Sequence, residues 1–69
     1  MTQIEKLKTL VEHWIEHNDE HEETYRQWEE QLKAMGYDDL SQSFNQICSE
    51  SAKLNKLFKD TISLIEEKI

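Results

Sequence analysis

Gln31-Leu32-Lys33-Ala34-Met35-Gly36-Tyr37-Asp38-Asp39-Leu40 holds the only glycine of a 69-residue chain that has no proline. Glycine and proline are the strongest local breakers of regular structure. The stretches on either side of Gly36 are therefore free to run as unbroken helices. Gly36 itself can take the left-handed conformation that closes a helix, and Asp38 or Asp39 can cap the one that follows, with Gln42 three residues beyond Asp39. These signals predict a helix over 3–35, a turn over 36–38 and a helix over 39–69, all in one domain, 1–69. At 1.5 Å per residue the two helices are rods of about 45–50 Å.

The start of the first helix is marked by Thr2-Gln3-Ile4-Glu5, a capping-box pattern in which Thr2 and Glu5 satisfy each other's free backbone donors. A cap so near Met1 is expected of a natural chain start. From there Ile4, Leu7, Val11, Trp14, Asn18, His21, Tyr25, Trp28, Leu32 and Met35 recur at alternating steps of three and four, the signature of a helical seam. In the second half Leu40, Phe44, Ile47, Ser51, Leu54, Phe58, Thr61 and Ile65 repeat the pattern. Cys48 and Ile62 widen it on one flank, and Leu57 and Leu64 widen it on the other. A short connection makes the helices antiparallel neighbours. One facing helix cannot cover so broad a stripe, so the expected fold is all-α: an antiparallel two-helix hairpin dimerising into a four-helix bundle. The expected partner is a second copy of the chain. No repeat, low-complexity tract or linker interrupts the hairpin.

Size and charge narrow the functional classes. A chain this short buries only about 60% of its unfolded surface, so it needs a staple. Cys48 is the sole cysteine, which excludes an internal disulfide and fits a reducing compartment. Metal binding or oligomerisation remains. The net charge is −7, with four basic and nine acidic residues in 1–35 and four and six in 36–69. Such a chain repels nucleic-acid phosphates and anionic membranes. No apolar run approaches the roughly 18 residues that span a bilayer, and no signal-peptide core is present. The expected location is the cytoplasm.

The strongest chemical signal is a staircase of histidines, His13, His17 and His21, within His13-Trp14-Ile15-Glu16-His17-Asn18-Asp19-Glu20-His21. Residues four apart on a helix stand one above the other, with Cβ atoms about 5–6 Å apart. Two imidazoles at that spacing can hold one cation, and Glu20 lies where it can add a carboxylate. The ligand set His13, His17, Glu20 and His21 suits nickel, cobalt, zinc or ferrous iron, and the absence of a nearby thiolate argues against a soft metal. His21 shares the expected seam with Asn18, and Tyr25 and Ser51 are placed to orient the ligands. The plainer reading is that Asn18 and His21 are polar seam residues that fix register and oligomeric state.

Enzymatic readings fare poorly. His13 to His17 and His17 to His21 both match H-x-x-E-H, the inverted zinc-protease pattern, but the chain has no room for a substrate cleft and a distant third ligand. The Glu-x-x-His of di-iron bundles is absent, because Leu10, Trp14 and Asn18 precede the histidines by three. Trp14, Tyr25 and Trp28 share the seam and read as core. No basic residue stands near Cys48 in sequence to activate it, and it reads as a small buried apolar residue. No nucleophile with a base and no phosphate loop is found. The expected function is a non-catalytic, divalent-metal-binding bundle of the nickel, cobalt or zinc type. The alternative is a metal-free protein–protein interaction or regulatory module.

The run Leu10-Val11-Glu12-His13-Trp14-Ile15-Glu16-His17-Asn18-Asp19-Glu20-His21, followed by Tyr25, Trp28 and Gly36, resembles a poorly characterised family of small helical hairpins with a H-W-[IV]-E-H-N-x-x-H core. The resemblance covers most of the first helix and the turn, and the second helix matches only in its apolar pattern. It implies a hairpin, marks His13, His17 and His21 as the positions of interest, and suggests nickel or cobalt handling, which in some members accompanies a histidine-rich tail. This sequence carries no such tail. Leu40-Ser41-Gln42-Ser43-Phe44-Asn45 is also similar to the S-Q-x-L-D motif of short sporulation-regulating phosphatase hairpins. Phe44 replaces the leucine there, and Asn45 replaces the aspartate that the activity needs.

Overall fold

The computed structural model describes residues 2–69; Met1, which the expected 1–69 domain includes, lies outside them. Two helices, α1 (Gln3–Ala34) and α2 (Asp38–Glu66), fold back on each other. At the start of α1 the Glu5 N–H donates to Thr2 Oγ1 at 3.2 Å, and the Thr2 N–H donates to Glu5 Oε1 at 3.3 Å. The capping box is thus formed on both sides. α1 ends where Gly36 takes φ 88°. The Tyr37 N–H reaches back to the Leu32 carbonyl at 2.9 Å, and the Gly36 N–H reaches the Lys33 carbonyl at 3.1 Å. This is the paired closure of a Schellman motif, which satisfies carbonyls that a helix end otherwise leaves free.

The start of α2 differs from the expected cap. Tyr37 occupies the cap position with no side-chain hydrogen bond. Asp38 and Asp39 lie in the first turn, and Asp39 Oδ1 accepts from the Leu40 N–H at 2.8 Å. The Schellman closure ends α1 at Ala34, one residue before the expected 35, and leaves Met35, Gly36 and Tyr37 as linking residues, so α2 begins one residue early. Both aspartates then act as charges beside the positive end of the helix dipole. α2 stops at Glu66, three residues before the expected end. Ile65 is its last buried residue, its final turn carries no basic side chain, and beyond it nothing packs to hold the helix.

The helix–helix contact is the main surprise. On α1 it combines Ile4, Val11, Asn18, Tyr25 and Leu32, as the seam predicts, with Lys8, Ile15, Glu22 and Glu29. On α2 it combines Phe44, Ser51, Phe58 and Ile65 with Ser41, Cys48, Asn55 and Ile62. In both helices the second set lies one residue after the expected one. The packed seam is rotated, and Leu7, Trp14, His21 and Trp28 of α1, its cap residue Met35, and Leu40, Ile47 and Leu54 of α2 stay exposed. The physical reason is size. Ser41, Cys48, Ser51 and Asn55 are small, and they let the backbones approach while polar groups pair across the gap.

Those pairs set the register. Asn18 Nδ2 donates to the Ser51 carbonyl at 3.0 Å, and Ser51 Oγ donates to Asn18 Oδ1 at 3.1 Å. Asn55 Nδ2 donates to Asp19 Oδ1. Nearer the turn, Ser41 Oγ donates to the Glu29 carbonyl at 3.0 Å. Asn55 is buried, and its Oδ1 has no partner; an unmet acceptor costs roughly 1–3 kcal/mol. This central layer therefore specifies alignment more than it adds stability. Among the described residues the ion pairs Lys8–Glu12, Arg26–Glu22 and Lys53–Glu50 are all within single helices and contribute only a few tenths of a kcal/mol each.

Two outcomes follow for stability. A Cβ at Gly36 meets nothing within 4 Å, so Gly36→Ala acts only through the backbone and lowers the unfolding free energy by about 1–2 kcal/mol. Urea denaturation reads this directly, and an unchanged midpoint contradicts the Schellman assignment. In a double-mutant cycle, Asn18→Ala and Ser51→Ala couple by about 1 kcal/mol. Strict additivity means the two side chains do not act as one rung.

Candidate functional site

Because the helices are antiparallel, residues displaced in the same sense from each seam emerge on the same side of the hairpin. One position before the contact residues 8, 15 and 29 stand Leu7, Trp14 and Trp28, and one before 41, 48 and 55 stand Leu40, Ile47 and Leu54. These six side chains, 36–48% exposed, line one face. Leu10, Leu57 and Leu64 flank it and are 49%, 61% and 55% exposed. Trp14 and Phe58 bridge the helices across it, with ring centroids 6.2 Å apart. The opposite side carries the Arg26–Glu22 and Lys8–Glu12 pairs and is polar. The hairpin is a single layer with an oily side and a wet side.

Surface area measures the consequence. The accessible surface is 5355 Å² for 8.3 kDa, whereas a compact monomer of that mass exposes about 4,600 Å². The Cα positions span 51 × 15 × 11 Å, one helix thick in the shortest direction. No side chain among the described residues is fully buried.

Of the histidine staircase, His17 and His21 lie on the oily side, midway along it, and His13 stands on its rim. His17 and His21 rings are 4.6 Å apart between centroids and tilted at 66°. His13 and His17 stack at 6.3 Å, and His21 stacks on Tyr25 at 6.0 Å, which in turn meets Phe44 edge-on at 6.5 Å. All three histidines are exposed. His21 is therefore not in the seam with Asn18: the same rotation that buries Glu22 turns His21 out onto the open face. Tyr25 is beside His21, as expected for a supporting group, whereas Ser51 is committed to Asn18. Among the described residues no group of three or more His, Cys, Asp or Glu side chains gathers where one ion could reach them all. Within one chain, the closest approach among these imidazoles is the pair His17 and His21.

Cys48 is buried, and burial, followed by the nearby Glu29 carboxylate, pushes its thiol above the ordinary range, with Arg26 opposing weakly. Such a thiol is poorly nucleophilic. Shallow polar depressions lie between the helices on the wet side, one lined by Glu29, Lys33, Asp38, Ser41, Gln42 and Asn45. Asn45 Nδ2 and Glu29 Oε2 are bonded to each other there at 3.1 Å. The breadth of the apolar stripe already implies a surface that one facing helix leaves uncovered, with Leu57 and Leu64 on its flank. Sequence reasoning missed that Leu7, Trp14, Trp28, Leu40, Ile47 and Leu54, expected in the seam, lie on that surface instead.

No helix among the described residues is long and apolar enough to cross a membrane. No curated protein and no solved structure matches the chain. The model of one family, described as a domain of unknown function (DUF8180), matches residues 7–65. That span takes in the histidine staircase, the Gly36 turn and both halves of the oily face, and the chain belongs to this family.

Proposed function

We propose that the hairpin is a self-assembly module that closes its oily face on a second copy to make a four-helix bundle, and that the bundle is a non-catalytic binder of a divalent transition-metal ion. The observation that carries this reading is the oily face with an imidazole pair at its middle. The surface in excess of a compact monomer is roughly 800 Å², which is what one partner buries in a standard protein interface. Monomers rarely expose a large contiguous apolar patch. A second copy is the simplest cover, because a two-fold axis lets one surface satisfy itself. The metal half of the reading is supported by the 4.6 Å separation of the His17 and His21 rings, which suits two ligands of a nickel, cobalt or zinc ion.

A metal-free module that binds a different helical partner through the same face is the second reading, and the same exposed residues favour it. The two part on self-association. In sedimentation of the chelator-treated chain at micromolar concentration, the account expects dimers, and Trp28→Glu or Leu54→Glu weakens the dimer more than tenfold. A folded monomer for the unmodified chain removes the self-assembly reading. Titration of nickel, cobalt or zinc is expected to saturate with Kd tighter than ~10 μM, about 7 kcal/mol of binding. Failure of all three ions to saturate removes the metal reading and leaves assembly alone.

A further inference from the structure

The oily face carries enough pattern to orient the dimer. Its outer flank on α1 reads Leu10, His17, Thr24, Gln31, each one residue before a seam position. On α2 it reads Ser43, Glu50, Leu57, Leu64. The cross-helix rungs give the levels. Asn18 is level with Ser51, and Tyr25 is level with Phe44. Both His21 and Glu50 fall between these two rungs. Leu10 falls near Leu57 and Leu64, at the end of the hairpin away from the turn.

Two face-to-face arrangements keep a two-fold axis. With the axis across the helices, α1 lies on α1 of the other copy, end for end. Leu10 then meets the Thr24 and Gln31 region, and Leu57 and Leu64 meet the Ser43 and Glu50 region, so leucines face polar side chains. With the axis along the helices, α1 lies on α2 of the other copy and every residue keeps its own level. Leu10 then sits between Leu57 and Leu64, Thr24 meets Ser43, and His17 and His21 meet Glu50. Charge points the same way. α1 carries nine acidic and four basic residues, and α2, from Asp38 to Glu66, carries five and three. Placing α1 against α2 is less repulsive than placing α1 against itself. On the rim, Lys53 of the second copy falls between His13 and Glu20, and Asp60 of the second copy falls between Lys6 and His13.

We infer that the two copies pack with their turns at the same end, and that each dimer holds two divalent transition-metal sites, each built from His17 and His21 of one chain and Glu50 of the other. This rests on the self-assembly and metal reading above and adds the ligand that one chain lacks. Two imidazoles and a carboxylate, with water in the remaining positions, form a nitrogen–oxygen set suited to zinc, cobalt or nickel. Glu50 is free to serve. It is exposed, and its Oε1 is engaged only with Gln46 at 2.9 Å and Lys53 at 3.2 Å on its own helix. Every ligand lies on a regular helix, so the site needs no loop to form.

The test uses nickel(II) titrated calorimetrically into the full chain and two variants, with far-UV circular dichroism to verify folding. The chain binds one ion per copy. His17→Ala/His21→Ala abolishes binding, and Glu50→Gln weakens it by about tenfold or more; all these side chains are exposed, so the helices persist. The decisive sample mixes the two variants and lets them exchange. Half of random dimers are mixed, and each regains one intact site, so about a quarter of the original sites return at the original affinity. Wild-type affinity in Glu50→Gln, or no recovery on mixing, overturns the intersubunit site while metal binding by the histidine pair stands. One ion per two chains overturns it too, because it indicates histidines facing histidines across the other axis. No nickel binding to the unmodified chain fails the broader metal reading itself.

Discussion

Two helices alone can bury only one stripe each, and that constraint governs everything else in this molecule. The stripe chosen is the one that lets the backbones come close, with Ser41, Cys48, Ser51 and Asn55 of α2 against Val11, Asn18 and Leu32 of α1. Once these small and polar side chains occupy the contact, the large apolar ones have nowhere to go but the adjacent face. Trp14, Trp28, Ile47 and Leu54 are left partly in water. A leucine or tryptophan that stays half exposed forgoes part of its roughly 1.5–3 kcal/mol of burial energy. For a chain this small, whose total stability is only a few kcal/mol, that loss is a large share, and covering the face is correspondingly favourable.

The polar layer at the middle acts in the same direction. Asn18 and Ser51 exchange hydrogen bonds across the helices, which fixes the alignment of α1 against α2 to the residue. A slip of one turn would break both bonds and leave buried polar groups unpaired, at a cost of a few kcal/mol. With the register locked, the histidines at 17 and 21 are held at one height on the hairpin. A site assembled between copies depends on that height, because symmetry only repeats what each chain already places.

Much of this was legible from the amino acids. The lone Gly36 and the Thr2–Glu5 pattern located the turn and the first cap because both rest on local backbone chemistry. Positions 4, 11, 18, 25 and 32 were read as contact residues and are so, since any helical period keeps them together. The second member of each repeat was misassigned, Trp14 for Ile15 and His21 for Glu22. A step of three and a step of four from the same residue differ by only 100° on the helix, and the larger apolar residue looked the better core choice. That rule assumes a complete core. Here size selected against it, and Glu22 and Glu29 lie half-buried at the seam edge while Trp28 does not. The four-step spacing of the histidines carried over directly as the 4.6 Å ring pair. The absence of a convergent third group among the described residues could not be read from spacing, because it depends on the rotation of both helices.

In the proposed assembly the oily face is an interior surface, whatever the histidines then bind. Small-angle X-ray scattering of the chelator-treated chain reads this most directly, since it reports mass and shape together. The expected result is twice the chain mass in a particle that is thicker but scarcely longer than the 51 Å hairpin. A particle of 8.3 kDa with the thin, one-layer profile of a lone hairpin would contradict it.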